Sequence, residues 1–156
     1  MLKNIMKNCW EMNKVKKVSI VIPMYNEQEV AEKCYEKIID TLKRIEDKYD
    51  YEIIFINDGS KDKTLEILRN IAQKNIKAKI ISFSRNFGHQ SAVTAGLKKV
   101  TGDAVVIIDA DLQDPPELIP EMLNLWEKGN DIIYGKRKLR KGESKFKLLT
   151  ASMFYK

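Results

Sequence analysis

The chain has 156 residues, 44% apolar and 32% charged, which suffices for one domain with a buried core and is too apolar for a disordered tail. Its net charge of +6 is concentrated at the ends: residues 1–17 carry +4, residues 136–156 carry +7, and the body over 18–135 carries −5. This argues against a protein basic throughout, as a duplex-DNA binder is, and few aromatics interleave the basic ends, so no nucleic-acid partner is expected. The ends suit an anionic membrane surface, or are simply solvated lysines.

Residues 1–17 lack the apolar stretch of a signal peptide and are expected to form a basic leader. Residues 18–23 (VSIVIP) are a β-branched apolar run closed by proline and predict a buried strand. Between 27 and 49, Val30, Cys34, Ile38, Leu42 and Ile45 recur every three or four residues, the stripe of an amphipathic helix. Residues 52–57 (EIIFIN) predict a second buried strand, stopped by Asp58-Gly59-Ser60. A helix over 63–74 places Leu65, Leu68 and Ile71 on one face, with Asp62 as its N-cap. A strand over 78–83, a helix over 90–100 and a strand over 103–109 (DAVVIID) follow. After Pro115-Pro116 a helix runs to about Lys128, and 131–134 (DIIY) predict a short fifth strand. The tail from Ser144 carries Phe146, Leu149, Met153 and Phe154 at helical spacing among lysines, a basic amphipathic segment. Strand and helix alternate, and the strands read as apolar on both faces. The expected fold is α/β, a mostly parallel central sheet with helices on both faces. Cys9 and Cys34 are too few for a disulfide framework or a metal cluster; the default is a reduced, cytoplasmic protein with Cys34 in the core. No apolar run approaches the roughly 18–20 residues of a membrane-spanning helix.

Ligands of parallel sheets collect at the carboxyl ends of the strands. Those ends read PMYNE (23–27), NDGSKD (57–62), SRNFGH (84–89) and DADLQD (109–114). One polar end means little; four together make a site. The sharpest is Asp109-Ala110-Asp111. If the strand runs on to Asp111, residues two apart face one side, and two carboxylates share a crevice where they repel unless a cation lies between them. Oxygen ligands with Gln113 beside them suit Mg²⁺ or Mn²⁺. The plainer alternative makes Asp109 a turn cap and leaves Asp111 solvated. Asp58 is either turn chemistry or an acceptor for the N–H groups of a nucleobase; Tyr25 either stacks on that base, lines the pocket or is a packing residue. The single histidine, His89, reads as a helix-start or loop residue or, alternatively, a ligand contact. Neither GxxxxGK[ST] nor GxGxxG occurs, which argues against an ordinary NTPase and a Rossmann dehydrogenase. The acid pair follows the fourth strand rather than the first, which argues against a receiver-type phosphoacceptor domain.

The runs VSIVIPMYNEQE, IIFINDGSKDKT, SRNFGHQSAVTAGL, GDAVVIIDADLQDPPELIPEML and DIIYGKR, in this order, resemble the family 2 glycosyltransferases of the GT-A fold. Within them the chain resembles the polyprenyl-phosphate glycosyltransferases, the group of dolichol-phosphate mannosyltransferase and the bacterial bactoprenol glucosyltransferases. The resemblance implies a GT-A nucleotide-sugar-binding sandwich. It implies metal-dependent, inverting transfer of a hexose from UDP-glucose or a similar UDP- or GDP-hexose to an undecaprenyl or dolichyl phosphate, on the cytoplasmic side of the membrane. It further implies that Pro23, Tyr25 and Glu27 hold the nucleotide and that Ile56 and Asp58 lie around its base. Asp109, Ala110 and Asp111 match the motif that binds the donor diphosphate through Mg²⁺ or Mn²⁺, with Gln113 as a further ligand. Arg137 matches an arginine that contacts donor or acceptor phosphate, so the catalytic set is Asp109, Asp111 and Arg137. No base is assigned; Asp114 reads equally as a helix N-cap. Asn57 stands where many relatives have Asp. Relatives continue past residue 156, in the bacterial group into two membrane helices, so the chain resembles a truncated member. Its expected parts are the leader (1–17), the catalytic domain (18–143) and the start of a juxtamembrane segment (144–156). A fragment that folds and binds nucleotide without the acceptor half is the competing expectation, and a homo-oligomer is left open.

Overall fold

Side chains along a strand alternate between faces, and in β1 (Lys16–Met24) that alternation divides the core in two. The computed structural model describes residues 15–136. After β1 come α1 (Ala31–Lys43), β2 (Tyr49–Asn57), α2 (Thr64–Lys74), β3 (Ala78–Ser82), α3 (His89–Leu97), β4 (Ala104–Ile107), a 3₁₀ turn (Pro116–Leu118) and α4 (Ile119–Glu127). The strands form one parallel sheet in the order β3-β2-β1-β4. Val18, Ile20 and Ile22 of β1, with Ile53 and Phe55 of β2, face α1, α2 and α4, which contribute Ile38, Leu42, Leu68, Ile71, Ile119 and Leu123. Val21, Ile54 and Ile56 face the other way, towards Ala92 of α3. Helix α3 packs close because Gly96 has no side chain: a Cβ there would lie 2.5 Å from Val21 Cγ1 and 2.8 Å from Ile56 Cδ1. Cys34 is in the core as its sequence position predicts. Burial pushes its thiol up to about 12, with Glu27 and Asp111 adding to the effect.

The amino end of the sheet holds a feature with no sequence signal. Glu52 is 1% exposed on the α3 side. It accepts hydrogen bonds from Ser19 Oγ (2.7 Å), the Thr101 N–H (2.7 Å), Thr101 Oγ1 (2.8 Å) and Lys79 Nζ (2.6 Å). Burial alone would raise its pKa; the bonds from Lys79, Ser19 and Thr101 outweigh burial and hold the carboxyl at about 2.

Several elements end elsewhere than the sequence predicts. The first helix stops at Lys43 rather than near 49, because Tyr49 is already in β2, paired with Lys16. Strand β1 therefore begins inside the stretch read as leader. Asp62 accepts the Thr64 N–H (3.0 Å) from one residue ahead of the cap position, which Lys63 occupies. The turn after Asp114 is capped at Pro115. Strand β4 is not buried on both faces: Val105 is 39% and Ile107 49% exposed, since the face that α3 covers belongs to β1 and β2. The predicted fifth strand is absent. Residues 131–134 form no ladder, and Ile132 and Tyr134 are 85% and 80% exposed. DIIY has strand composition, but a strand exists only where its backbone groups meet a partner's. Here the segment runs beside β4, with Ile132 and Ile133 lining a groove with Val105 and Ile107, without pairing. Cys9, Arg137 and the amphipathic tail over 144–156 lie outside the described residues. Among the described residues no helix is long and apolar enough to cross a membrane.

Candidate active site

Parallel strands all end at one edge, so the loops after β1 to β4 meet there and are tied to one another. The first turns at Asn26, whose φ of 55° is a left-handed conformation that asparagine tolerates. Its N–H donates to Ser60 Oγ (3.0 Å), and its Oδ1 accepts the Lys61 N–H (2.9 Å). The Glu27 N–H donates to Thr64 Oγ1 (2.9 Å). The second loop is tied to the third by Gly59 and Asp58. Gly59 has φ 67°, and a Cβ there would lie 2.2 Å from the Arg85 carbonyl carbon, so no other residue fits. Asp58 is 3% exposed; its Oδ1 accepts the Phe87 N–H (2.7 Å) and its Oδ2 the Gly88 N–H (2.9 Å).

These loops enclose a cleft of about 450 Å³ that brings together Pro23, Tyr25, Glu27, Asp58, Asp109, Ala110 and Asp111 of the predicted site. Asn86, Gly88 and His89 join them from the third loop and the start of α3. His89 is the first residue of α3, as its sequence position allows, and it lines the cleft. Tyr25, 41% exposed, also borders a second hollow of about 450 Å³ that Asn57, Ser82 and Arg85 line. Of the predicted residues that the structure describes, two are not brought in. Ile56 is fully buried beneath α3. Gln113 lines a separate groove with Asp114 and Leu118; its N–H donates to Asp111 Oδ1 (3.0 Å).

The two carboxylates reach the cleft by a route slightly different from the expected one. The β4 ladder ends at Ile107, but Ile108 N–H still donates to the Val21 carbonyl (3.1 Å). The alternation continues past the ladder: Ile108 and Ala110 are buried, while Asp109 and Asp111 are exposed on the opposite side. Leu112 then adopts φ 59°, a conformation that costs a non-glycine residue about 1–3 kcal/mol and turns the chain away. Negative charge accumulates here. The Glu27 carboxyl is raised above its ordinary range first by burial, then by Asp111, Asp62 and Asp109. His89 Nε2 lies 3.9 Å from Asp109 Oδ1. Among the described residues no group of three or more His, Cys, Asp or Glu side chains is placed to enclose a metal ion. The donor set nevertheless fits an ion of the Mg²⁺ type, which takes one or two protein carboxylates and completes its shell with water and phosphate oxygens.

The family described as Glycosyl transferase family 2 matches residues 19–155, and the chain belongs to that family. It is 51% identical over 138 residues to the uncharacterized glycosyltransferase YkcC of Bacillus subtilis, covering 88% of this chain and 42% of that protein. It is 43% identical over 142 residues to the bactoprenol glucosyl transferase of Shigella phage SfX, covering 90% of this chain and 45% of that one. The chain therefore spans less than half the length of these relatives. Among solved structures, S. aureus TarS 1–349 in complex with UDP-GlcNAc superposes with a TM-score of 0.63 at 21% identity, over 82% of this chain and 36% of that one. Glucosyl-3-phosphoglycerate synthase from Mycobacterium tuberculosis, solved with Mn²⁺, UDP and glucosyl-3-phosphoglycerate, does so with a TM-score of 0.55 at 29% identity, over 75% of this chain and 42% of that one. The fold is of the GT-A type, as the sequence resemblance implies.

Proposed function

We propose that this chain is the nucleotide-sugar-binding part of a metal-dependent, inverting glycosyltransferase that moves a hexose from UDP-glucose, or a similar UDP- or GDP-hexose, to a polyprenyl phosphate. The observation that carries this reading is the placing of Asp109 and Asp111 on one side of a cleft that also contains Pro23, Tyr25 and Asp58. The acceptor class is supported by the likeness to a bactoprenol glucosyl transferase. The donor class and the metal are supported by the Mn²⁺ and UDP bound in the Mycobacterium tuberculosis synthase.

Each residue then has a task. Tyr25 presents an aromatic face to the base, and Pro23 gives a rigid wall. Asp58 retains acceptor lone pairs beyond the two in use, available to a base N–H. Asp109 and Asp111 would hold Mg²⁺ or Mn²⁺, and the Gln113 N–H fixes the Asp111 carboxylate. The chemistry such a cation would supply is neutralisation of the charge on the departing diphosphate. Transfer is one in-line displacement. An acceptor phosphate oxygen bonds to the anomeric carbon, the bond from that carbon to the donor diphosphate breaks, and its electron pair leaves with the diphosphate, which inverts the centre. The acceptor oxygen is anionic at neutral pH, so no protein base is required. Arg137 is assigned a phosphate contact by its place in the sequence, and the net +7 of residues 136–156 suits binding to an anionic membrane surface.

The test is transfer of labelled glucose from UDP-glucose to undecaprenyl phosphate with Mn²⁺. Lipid-linked glucose that EDTA abolishes supports the proposal. Nucleotide binding without turnover favours a fragment that lacks the acceptor half, and failure to bind either UDP or GDP overturns both.

A further inference from the structure

Asp58 stands at the cleft, yet both of its oxygens are engaged by the polypeptide. Its carboxylate accepts the Phe87 N–H at 2.7 Å and the Gly88 N–H at 2.9 Å. Gly88, with φ 92°, is the cap position of α3 and has no side chain with which to cap it. The carboxylate that serves this turn comes from the end of β2, thirty residues earlier. Ring contacts hold the same turn as well. The Phe87 ring meets Phe83 edge-on at 5.5 Å, and the Arg85 guanidinium lies 4.2 Å over it. The next residue is His89, the first of α3, whose Nε2 lies 3.9 Å from Asp109 Oδ1. That is beyond hydrogen-bond range, so the ring stands beside the carboxylate without being bonded to it.

We propose that Asp58 is a positioning residue: by fastening the Phe87–Gly88 turn it sets His89 beside Asp109, where the imidazole contacts a phosphate group of a bound nucleoside diphosphate. The ligand half of this rests on the function proposed above; the positioning half rests on the chain alone. An imidazole N–H is a directional donor to a phosphate oxygen. A turn held at two amides, one glycine and an aromatic pair gives that donor a fixed place.

His89 is the single histidine, so its ring protons give one unambiguous set of NMR signals. The first arm is amide exchange on the whole chain. In Asp58→Ala, Phe87 and Gly88 should exchange at least about tenfold faster, while Val21 and Ile54 stay protected and report an intact sheet. Asp58→Asn, which keeps one acceptor oxygen, should restore part of the protection. Unchanged exchange at Phe87 and Gly88 in Asp58→Ala overturns the positioning role. The second arm titrates UDP and GDP, and uridine and guanosine, with Mg²⁺. Saturating diphosphate should shift the His89 ring signals in the wild type and not in Asp58→Ala. His89→Ala should bind the diphosphate about tenfold more weakly with nucleoside affinity unchanged, the size of one lost hydrogen bond to a charged group. An equal loss for nucleoside and diphosphate, or no loss, overturns the phosphate contact. If the wild type binds no nucleotide, the proposed function and the ligand half fall together, and exchange still decides the positioning half.

Discussion

The two ends of this sheet treat acidic side chains in opposite ways. At the amino end Glu52 is buried and fully supplied with donors, and its carboxyl is held at about 2. At the carboxyl end Glu27 shares a cleft with Asp109 and Asp111, and burial and those neighbours push its carboxyl up. One acid is completed by the fold. The other group carries mutual repulsion that the fold leaves in place, and a cation gains most from binding where such charge is concentrated.

The contrast breaks first at Glu52. Glu52→Gln sets an amide against Lys79, Ser19 and Thr101 and should cost about 2–4 kcal/mol in urea unfolding, the range for breaking a buried, hydrogen-bonded charge network. Acid should act through the same residue. Its folded pKa of about 2 lies below the ordinary 4.5, so its contribution is complete above about pH 4.5 and is lost as pH falls towards 2. That contribution is on the order of 3 kcal/mol. Unfolding free energies across this range should converge for wild type and Glu52→Gln at the acid end. Glu27 has the opposite sign: its raised pKa favours the fold at low pH, and that contribution fades as pH rises through the folded value. Glu27→Gln should therefore gain stability at neutral pH relative to its gain at acid pH. Asp58→Ala should weaken nucleotide binding by about 1–3 kcal/mol in calorimetry and leave the affinity for metal alone little changed. The smallest effect belongs to Asp111→Asn without metal, a change under about 1 kcal/mol and in the stabilising direction, because it removes repulsion from an exposed loop. If Asp111→Asn costs as much as Glu52→Gln, the two ends do not differ in the way described.

The order of elements was legible because each strand is a continuous apolar run and each helix carries a stripe. What depends on long-range pairing was not. The end of the first helix is set by the match of Lys16 with Tyr49, and the fate of DIIY by whether β4 offers it a ladder. Glu52 looks like an ordinary start to an apolar run, since its donors come from positions 27 to 49 residues away. At the site, the period of two placed Asp109 and Asp111 together, and the alternation outlasted the strand that justified it. The same period, followed along β2, puts Ile56 with Ile54 beneath α3 and out of the cleft. Gln113 fell outside because Leu112 reverses the backbone first, and nothing in the letters DADLQD marks a leucine for φ 59°.

In the function proposed here, the carboxyl end of β4 binds a nucleoside diphosphate together with a divalent ion. Calorimetric titration of UDP and of GDP, each with and without Mn²⁺, into the wild type and Asp111→Asn tests it most directly. We expect one of the two nucleotides to bind the wild type at least about tenfold more tightly with Mn²⁺, and that gain to vanish in Asp111→Asn while its sheet stays folded. A Mn²⁺-dependent gain of equal size in Asp111→Asn would place the site elsewhere.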